Sequence, residues 1–179
     1  MHFSCQAEKW GYVAVSLLLS FPASATLSTE GHGRVSMTGT IIDTACDIAT
    51  SSREQYIEIG DLSIGQIIRD GRGPTRSFSI HLVNCVLERA GRKNWETFQV
   101  TFDGLRDEAD FGVSGDASGI SLRITDADGH QVTPGQTQPR KDIHPRKMTL
   151  DYHITPVTNR EQIKPGDYSS IVKFKLDYF

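Results

Sequence analysis

The sequence predicts an all-β protein, an antiparallel sandwich of immunoglobulin-like type, on three observations. Short segments of alternating polar and apolar residues recur from residue 34 to the end of the chain. Glycine and proline pairs with turn chemistry punctuate them, at Asp103-Gly104, Ser114-Gly115, Asp128-Gly129, Pro134-Gly135 and Pro165-Gly166. The composition, with 16 Gly, 7 Pro and many Thr, Ser, Val and Ile, suits short strands joined by turns. Of the 179 residues, 37% are hydrophobic and 23% charged, which excludes a disordered chain, a coiled coil, collagen and a polytopic membrane protein. A net charge of -3 argues against a nucleic-acid partner held by bulk positive charge.

The elements follow in order. Residues 1–25 read as a signal peptide. The apolar run Val13 to Leu19 is followed by Pro22 and the small triplet Ala23-Ser24-Ala25, and it is far shorter than the roughly 20 residues of a membrane anchor. Residues 26–37 form an N-terminal extension with a period of two. Leu27, Thr29, Gly31, Gly33, Val35 and Met37 alternate with Ser28, Glu30, His32, Arg34 and Ser36, and no hairpin turn joins the segment to a partner. Residues 38–179 are the sandwich domain, and the first strand signal, Arg34 to Asp43, overlaps its start.

Further strands are expected at Gln55 to Ile59, Ser77 to Val86, Thr97 to Phe102, Ile120 to Ile124, Met148 to Ile154 and Tyr168 to Tyr178. In the second of these, Phe78, Ile80, Leu82 and Asn84 share a face; in the third, Phe98, Val100 and Phe102 do. Asp61 to Arg69 has room for one helical turn, weakened by Gly65, and Thr133 to Arg146 reads as a long surface loop. Cys46 and Cys85, 39 residues apart, remain after Cys5 leaves with the signal. Two cysteines in an exported chain read as a disulfide, and they lack the spacing of a metal site.

Catalytic motifs are missing from the sequence. Gly115 to Gly119 and Asp126 to Gly129 read as turns, because the first lacks a serine-hydrolase context and the second lacks the glutamate that closes a calcium loop. His32, His81, His130, His144 and His153 form no metal or nucleophile pattern, and no phosphate-binding fingerprint occurs. No enzyme, cofactor or metal is expected. A monomeric secreted carbohydrate-binding sandwich is the alternative outside any family, with Trp95 the one tryptophan beyond the signal.

An ordered set of motifs carries a family resemblance. It comprises Gly33-Arg34-Val35-Ser36-Met37-Thr38-Gly39-Thr40-Ile41-Ile42-Asp43-Thr44-Ala45-Cys46, then Phe78-Ser79-Ile80-His81-Leu82-Val83-Asn84-Cys85. Val100 to Gly104, Gly119 to Leu122, and Gly166-Asp167-Tyr168 leading to Tyr178 complete it. The chain resembles the pilin subunits of chaperone–usher fimbriae over residues 26–179, with Ala45 where many members carry proline.

The resemblance implies a sandwich lacking its last strand. A periplasmic chaperone first fills the resulting groove, and the outer-membrane usher and a neighbouring pilin subunit then replace that strand by the neighbour's N-terminal extension. It also implies that Leu27, Thr29, Gly31, Gly33 and Val35 form the donor strand. Val172, Phe174, Leu176 and Tyr178 would form the chaperone-contact strand, and the product would be a cell-surface fimbrium. The motifs are most similar to P-pilus minor subunits, including the basal terminator. The extension is shorter than that terminator's, which keeps a rod or adaptor position as the alternative.

Overall fold

The computed structural model describes residues 34–144 and 148–179, and the chain divides into two units, Met1–Thr40 and Ile41–Phe179. Of the first, residues 34–40 are exposed and belong to no helix or strand; the expected signal peptide and Leu27, Thr29, Gly31 and Gly33 lie outside the described residues. The described residues of the second unit carry twelve strands and two short helices. They are β1 (Asp47–Ile48), α1 (Thr50–Arg53), α2 (Ile64–Asp70), β2 (Arg76–Val83), β3 (Thr97–Gly104), β4 (Arg106–Asp107), β5 (Asp110–Phe111), β6 (Ser114–Gly115), β7 (Ile120–Asp126), β8 (Gln131–Val132), β9 (Lys141–Asp142), β10 (Thr149–Thr158), β11 (Tyr168–Ser169) and β12 (Val172–Tyr178).

One sheet runs β1-β2-β10-β7-β5-β4, with β8 paired to β7; a second runs β12-β3-β9; a two-stranded ribbon pairs β11 with β6. All these pairings are antiparallel. The two sheets face each other across one core. Phe102 of β3 meets Tyr152 of β10 edge-on, with ring centroids 4.8 Å apart. Around that contact the period-two pattern does what it should: Ile80 and Leu82 (β2), Phe98 and Val100 (β3), Leu122 and Ile124 (β7) and Ile154 (β10) are all buried. The Cys46–Cys85 disulfide is present.

Several elements differ from the sequence reading, each for a physical reason. Arg34 to Asp43 is not a strand: it alternates, but among the described residues it has no ladder partner. Gln55 to Ile59 keeps its alternation, with Ile57 and Ile59 turned inward, but it too is unpaired. The 61–69 region forms a true helix, α2, because Gly71 takes the left-handed conformation (φ 68°) and returns its N–H to the Ile67 carbonyl. Strand β2 stops at Val83, where Asn84 turns to φ 52°.

Asp103-Gly104 is not a turn. Gly104 ends β3, where a β-carbon would lie 2.9 Å from the Ile171 carbonyl oxygen. The final strand breaks in two at Ser170-Ile171, β11 joining β6 and β12 joining β3. The stretch from Thr133 is more than a surface loop, since Pro134, Gln138 and Ile143 are buried and Gln138 accepts a 3.1 Å hydrogen bond from the Tyr152 hydroxyl.

Candidate functional site: an apolar groove beside an unpaired strand edge

Among the described residues, β12 is hydrogen-bonded on one side only. Its register against β3 runs from Val172↔Gly104 to Tyr178↔Phe98, and among the described residues no strand pairs its other edge. Beside that edge lies a groove of about 1270 Å³. Phe78, Phe102, Leu122, Ile124 and Ile154 form its apolar floor; Ile57 and Ile59 stand on one wall, and Tyr168, Val172 and Phe174 on the other. The floor side chains come from the alternating faces of β2, β3, β7 and β10, so the sandwich core is continuous with the groove.

The β12 side chains record an incomplete neighbourhood. Val172, Phe174, Leu176 and Tyr178 all pack on the core, yet all stay half-buried, while Lys173 and Lys175 are exposed. Phe174 lies 6.0 Å from the Phe102 ring, which is itself 1% exposed. Val172 and Phe174 line the groove; Leu176 and Tyr178 lie farther along the strand, outside its lining. Tyr178 packs on Trp95 at 6.1 Å, and the Arg89 guanidinium stacks on the Trp95 ring at 3.9 Å. Burial pushes the Tyr178 hydroxyl up to about 12, with Asp47 adding to the effect, and that hydroxyl has no hydrogen-bond partner among the described residues. Burial also raises Tyr168, whose hydroxyl is likewise unpartnered.

The wall carrying Ile57 and Ile59 is held by side chains rather than by a ladder. Gln55 donates to the Ser79 carbonyl at 2.9 Å, and Arg76 donates to the Ile59 carbonyl at 3.2 Å. Sequence reasoning missed this wall because its alternation resembles that of a paired strand. The odd-numbered positions of the N-terminal extension run on past Val35 through Met37, Gly39 and Ile41. Val35 and Met37 are 86% and 93% exposed.

Other chemistry-bearing groups are accounted for locally. Asp126, Asp128 and His130 cluster at the β7–β8 turn, where the Lys141 ammonium lies 2.9 Å from Asp126 and 3.5 Å from Asp128. Burial alone would raise the Asp126 carboxyl; Lys141 and the N–H groups of His130 and Asp128 outweigh it and hold the carboxyl below its usual range. Trp95, half-buried against Tyr178 and Arg89, offers no open aromatic platform for a sugar. The shape and lining of the groove suit an extended segment. Its unpaired edge supplies backbone hydrogen bonds, and its apolar floor selects alternate side chains.

A family model described as "Fimbrial protein" matches residues 35–178. The chain is 32% identical to the PRS fimbrial minor pilin protein of Escherichia coli over 150 residues, covering 82% of this chain and 77% of that protein. It is 30% identical to the Fimbria A protein of Serratia marcescens over 177 residues, 95% of this chain and 99% of that one. Among solved structures it is similar to the P pilus rod subunit PapA, with a TM-score of 0.67 and 21% identity over 76% of this chain and all of that one, a likeness of fold.

Proposed function

We propose, from the premise that this chain belongs to the fimbrial protein family of chaperone–usher pilus subunits, that it is a minor subunit joined to its neighbour by donor-strand exchange and placed at the fibre base. It is a structural subunit of cell-surface fimbriae, not an enzyme, and its partners are neighbouring pilins. The carrying observation is the apolar groove of about 1270 Å³ beside the unpaired edge of β12. Such an edge and floor in water are an aggregation hazard, which is the physical reason for a periplasmic chaperone to lend a strand before the usher receives the subunit.

In this reading the segment from Leu27 to Val35, extended through Met37, is the strand given to the neighbour. The exposed apolar side chains of Val35 and Met37 support it. The minor-subunit reading draws its support from the 32% identity to a protein named a minor pilin, and the basal position from the motif resemblance to P-pilus minor subunits. A rod or adaptor position is the second reading, favoured by the 31% identity over 87% of the chain to the Major MR/P fimbria protein of Proteus mirabilis.

One experiment separates the two positions. The chain is purified as its complex with the cognate periplasmic chaperone and mixed with a peptide of a rod subunit's N-terminal extension. A subunit at the base has no later subunit to receive, so the first reading expects it to keep its chaperone. Displacement of the chaperone by the peptide assigns the chain to the rod or adaptor instead. Deleting residues 26–37 tests the donor role: the variant should be absent from sheared fimbriae, and normal incorporation would sink it.

A further inference from the structure

We propose a second contact surface on this subunit, between folded bodies rather than through the inserted strand. The end of the domain from which the N-terminal segment departs docks on the groove mouth of the neighbouring pilin that receives that segment. The proposal rests on the strand-exchange reading above.

Two clusters of exposed aliphatic side chains lie at opposite ends of β12. The root cluster holds Ile41, Ile42, Val83 and Val86, which are 102%, 71%, 39% and 66% exposed. Its two chain segments run side by side. Asp47 pairs with Val83, the Val86 N–H donates to the Ala45 carbonyl at 2.7 Å, and both Arg89 and Arg92 grip the Asp43 carboxylate. Arg89 stacks on Trp95, and Trp95 packs on Tyr178, so the root sits at the C-terminal end of β12. The mouth cluster holds Leu105 and Ile171, 55% and 78% exposed, where Val172 pairs with Gly104 at the N-terminal end of β12. Ile64 and Ile171 line the groove there. The seven residues of β12 separate the clusters by about 20 Å.

The tether brings the root of one subunit to the mouth of the next. All pairings between the named strands are antiparallel, and a strand added to β12 in the same sense leaves the groove by its own C-terminal end, at Ile171. From Met37, the last apolar donor position before Gly39, to Ile41 is four residues, at most about 14 Å of extended chain. Asp43 is already clamped two residues later. With so short a link, the exposed aliphatic root must approach the neighbour's mouth, the position that Leu105, Ile171 and Ile64 occupy in this chain. The contact is heterologous, head to tail, the kind that builds a fibre rather than a closed ring.

Photoreactive benzoylphenylalanine placed separately at positions 37, 81 and 86 tests this in fimbriae assembled on cells. Position 37 should crosslink to the neighbour's groove and position 86 to the neighbour's mouth, while position 81, on the outer face of β2, should give no adduct there. A crosslink at 37 without one at 86 overturns the body contact and leaves strand exchange standing. No crosslink at 37 overturns both. As a second measure, Ile42→Ser with Val86→Ser should release the subunit from heated fimbriae about tenfold faster, the equivalent of burying one or two methylene groups. Since both side chains are exposed in the free domain, its own unfolding midpoint should not move; unchanged release would count against the contact.

Discussion

The β2–β10–β7 sheet and the β12 edge are made of the same residue types in the same period-two pattern, yet they end in different states. In the first, every strand has a partner on each side, and Ile80, Ile124 and Tyr152 fall to 3% exposure or less. In the second, Val172, Phe174, Leu176 and Tyr178 stop half-buried, because among the described residues β12 has a strand neighbour on one side only. Alternation therefore fixes which face a side chain takes, but the neighbour decides how deeply it is buried. On the proposed reading, the half-burial of β12 is the area a strand from another chain would cover.

The largest expected effect tests that distinction directly. Ile80→Ala, at a fully buried site of β2 outside the groove lining, should cost about 2–5 kcal/mol of stability whether or not the groove is filled. Phe174→Ala together with Leu176→Ala should cost clearly less than two buried truncations in the chain alone, but should abolish capture by the chaperone. Urea unfolding and a chaperone pull-down read the two quantities. Equal recovery of the Phe174/Leu176 variant and the wild type would show that β12 is not the docking edge. Lys173→Ala with Lys175→Ala, on the exposed face, should leave capture nearly intact.

The disulfide bears on the same contrast. The 39-residue loop it closes contains α1, α2 and the wall with Ile57 and Ile59, the part of the groove that no strand ladder holds. Replacing Cys46 and Cys85 by serine should lower stability by about 4 kcal/mol on the chain-entropy argument. It should weaken chaperone capture more than any conservative change within β7 or β10. Thiol titration of the unreduced, denatured protein after export should find Cys46 and Cys85 blocked.

Much of this contrast was legible in the sequence, and its limits are instructive. The strands with partners on both sides were readable because Phe98, Val100 and Phe102, or Ile80 and Leu82, alternate into one core. The failures came where alternation occurs without a strand ladder among the described residues. Arg34 to Asp43 and Gln55 to Ile59 carry the pattern of strands without a ladder. The groove itself could not be read, since it is the gap between β12 and a wall more than a hundred residues earlier. The break at Ser170-Ile171 was hidden because Tyr168 and Val172 keep the same parity across it, although the Ser170 hydroxyl turns aside to donate to the Gly112 carbonyl at 2.8 Å.

Titration separates the two regions at opposite ends of the pH scale. On the complete sheet, Asp126 is held below the ordinary carboxylate range. A depressed folded value means its contribution is present at neutral pH, begins to fade as the unfolded carboxyl protonates near pH 4, and is lost as pH falls through the folded value. Asp126→Asn should therefore flatten the acid limb of the stability profile, and Lys141→Met should reduce it in the same direction. An unchanged acid limb in both variants would mean that this ion pair contributes nothing measurable.

The smallest effect belongs to the β12 edge. Burial, with Asp47 nearby, raises the Tyr178 hydroxyl to about 12, above the value near 10 of an unfolded tyrosine. With a raised folded value, the stabilisation is complete below about pH 10 and is lost as pH climbs toward 12, because the unfolded chain releases its proton first. Tyr178→Phe should remove that part of the alkaline limb. At neutral pH it should change stability by no more than about 1 kcal/mol, and in the stabilising direction, since the substitution removes a buried hydroxyl that has no partner. Absorbance at 295 nm against pH follows the ionisation, and urea unfolding at pH 7 and pH 11 follows the stability. A clear loss at pH 7 would mean that the hydroxyl is hydrogen-bonded in solution, and the C-terminal end of β12 would then belong with the completed part of the sandwich.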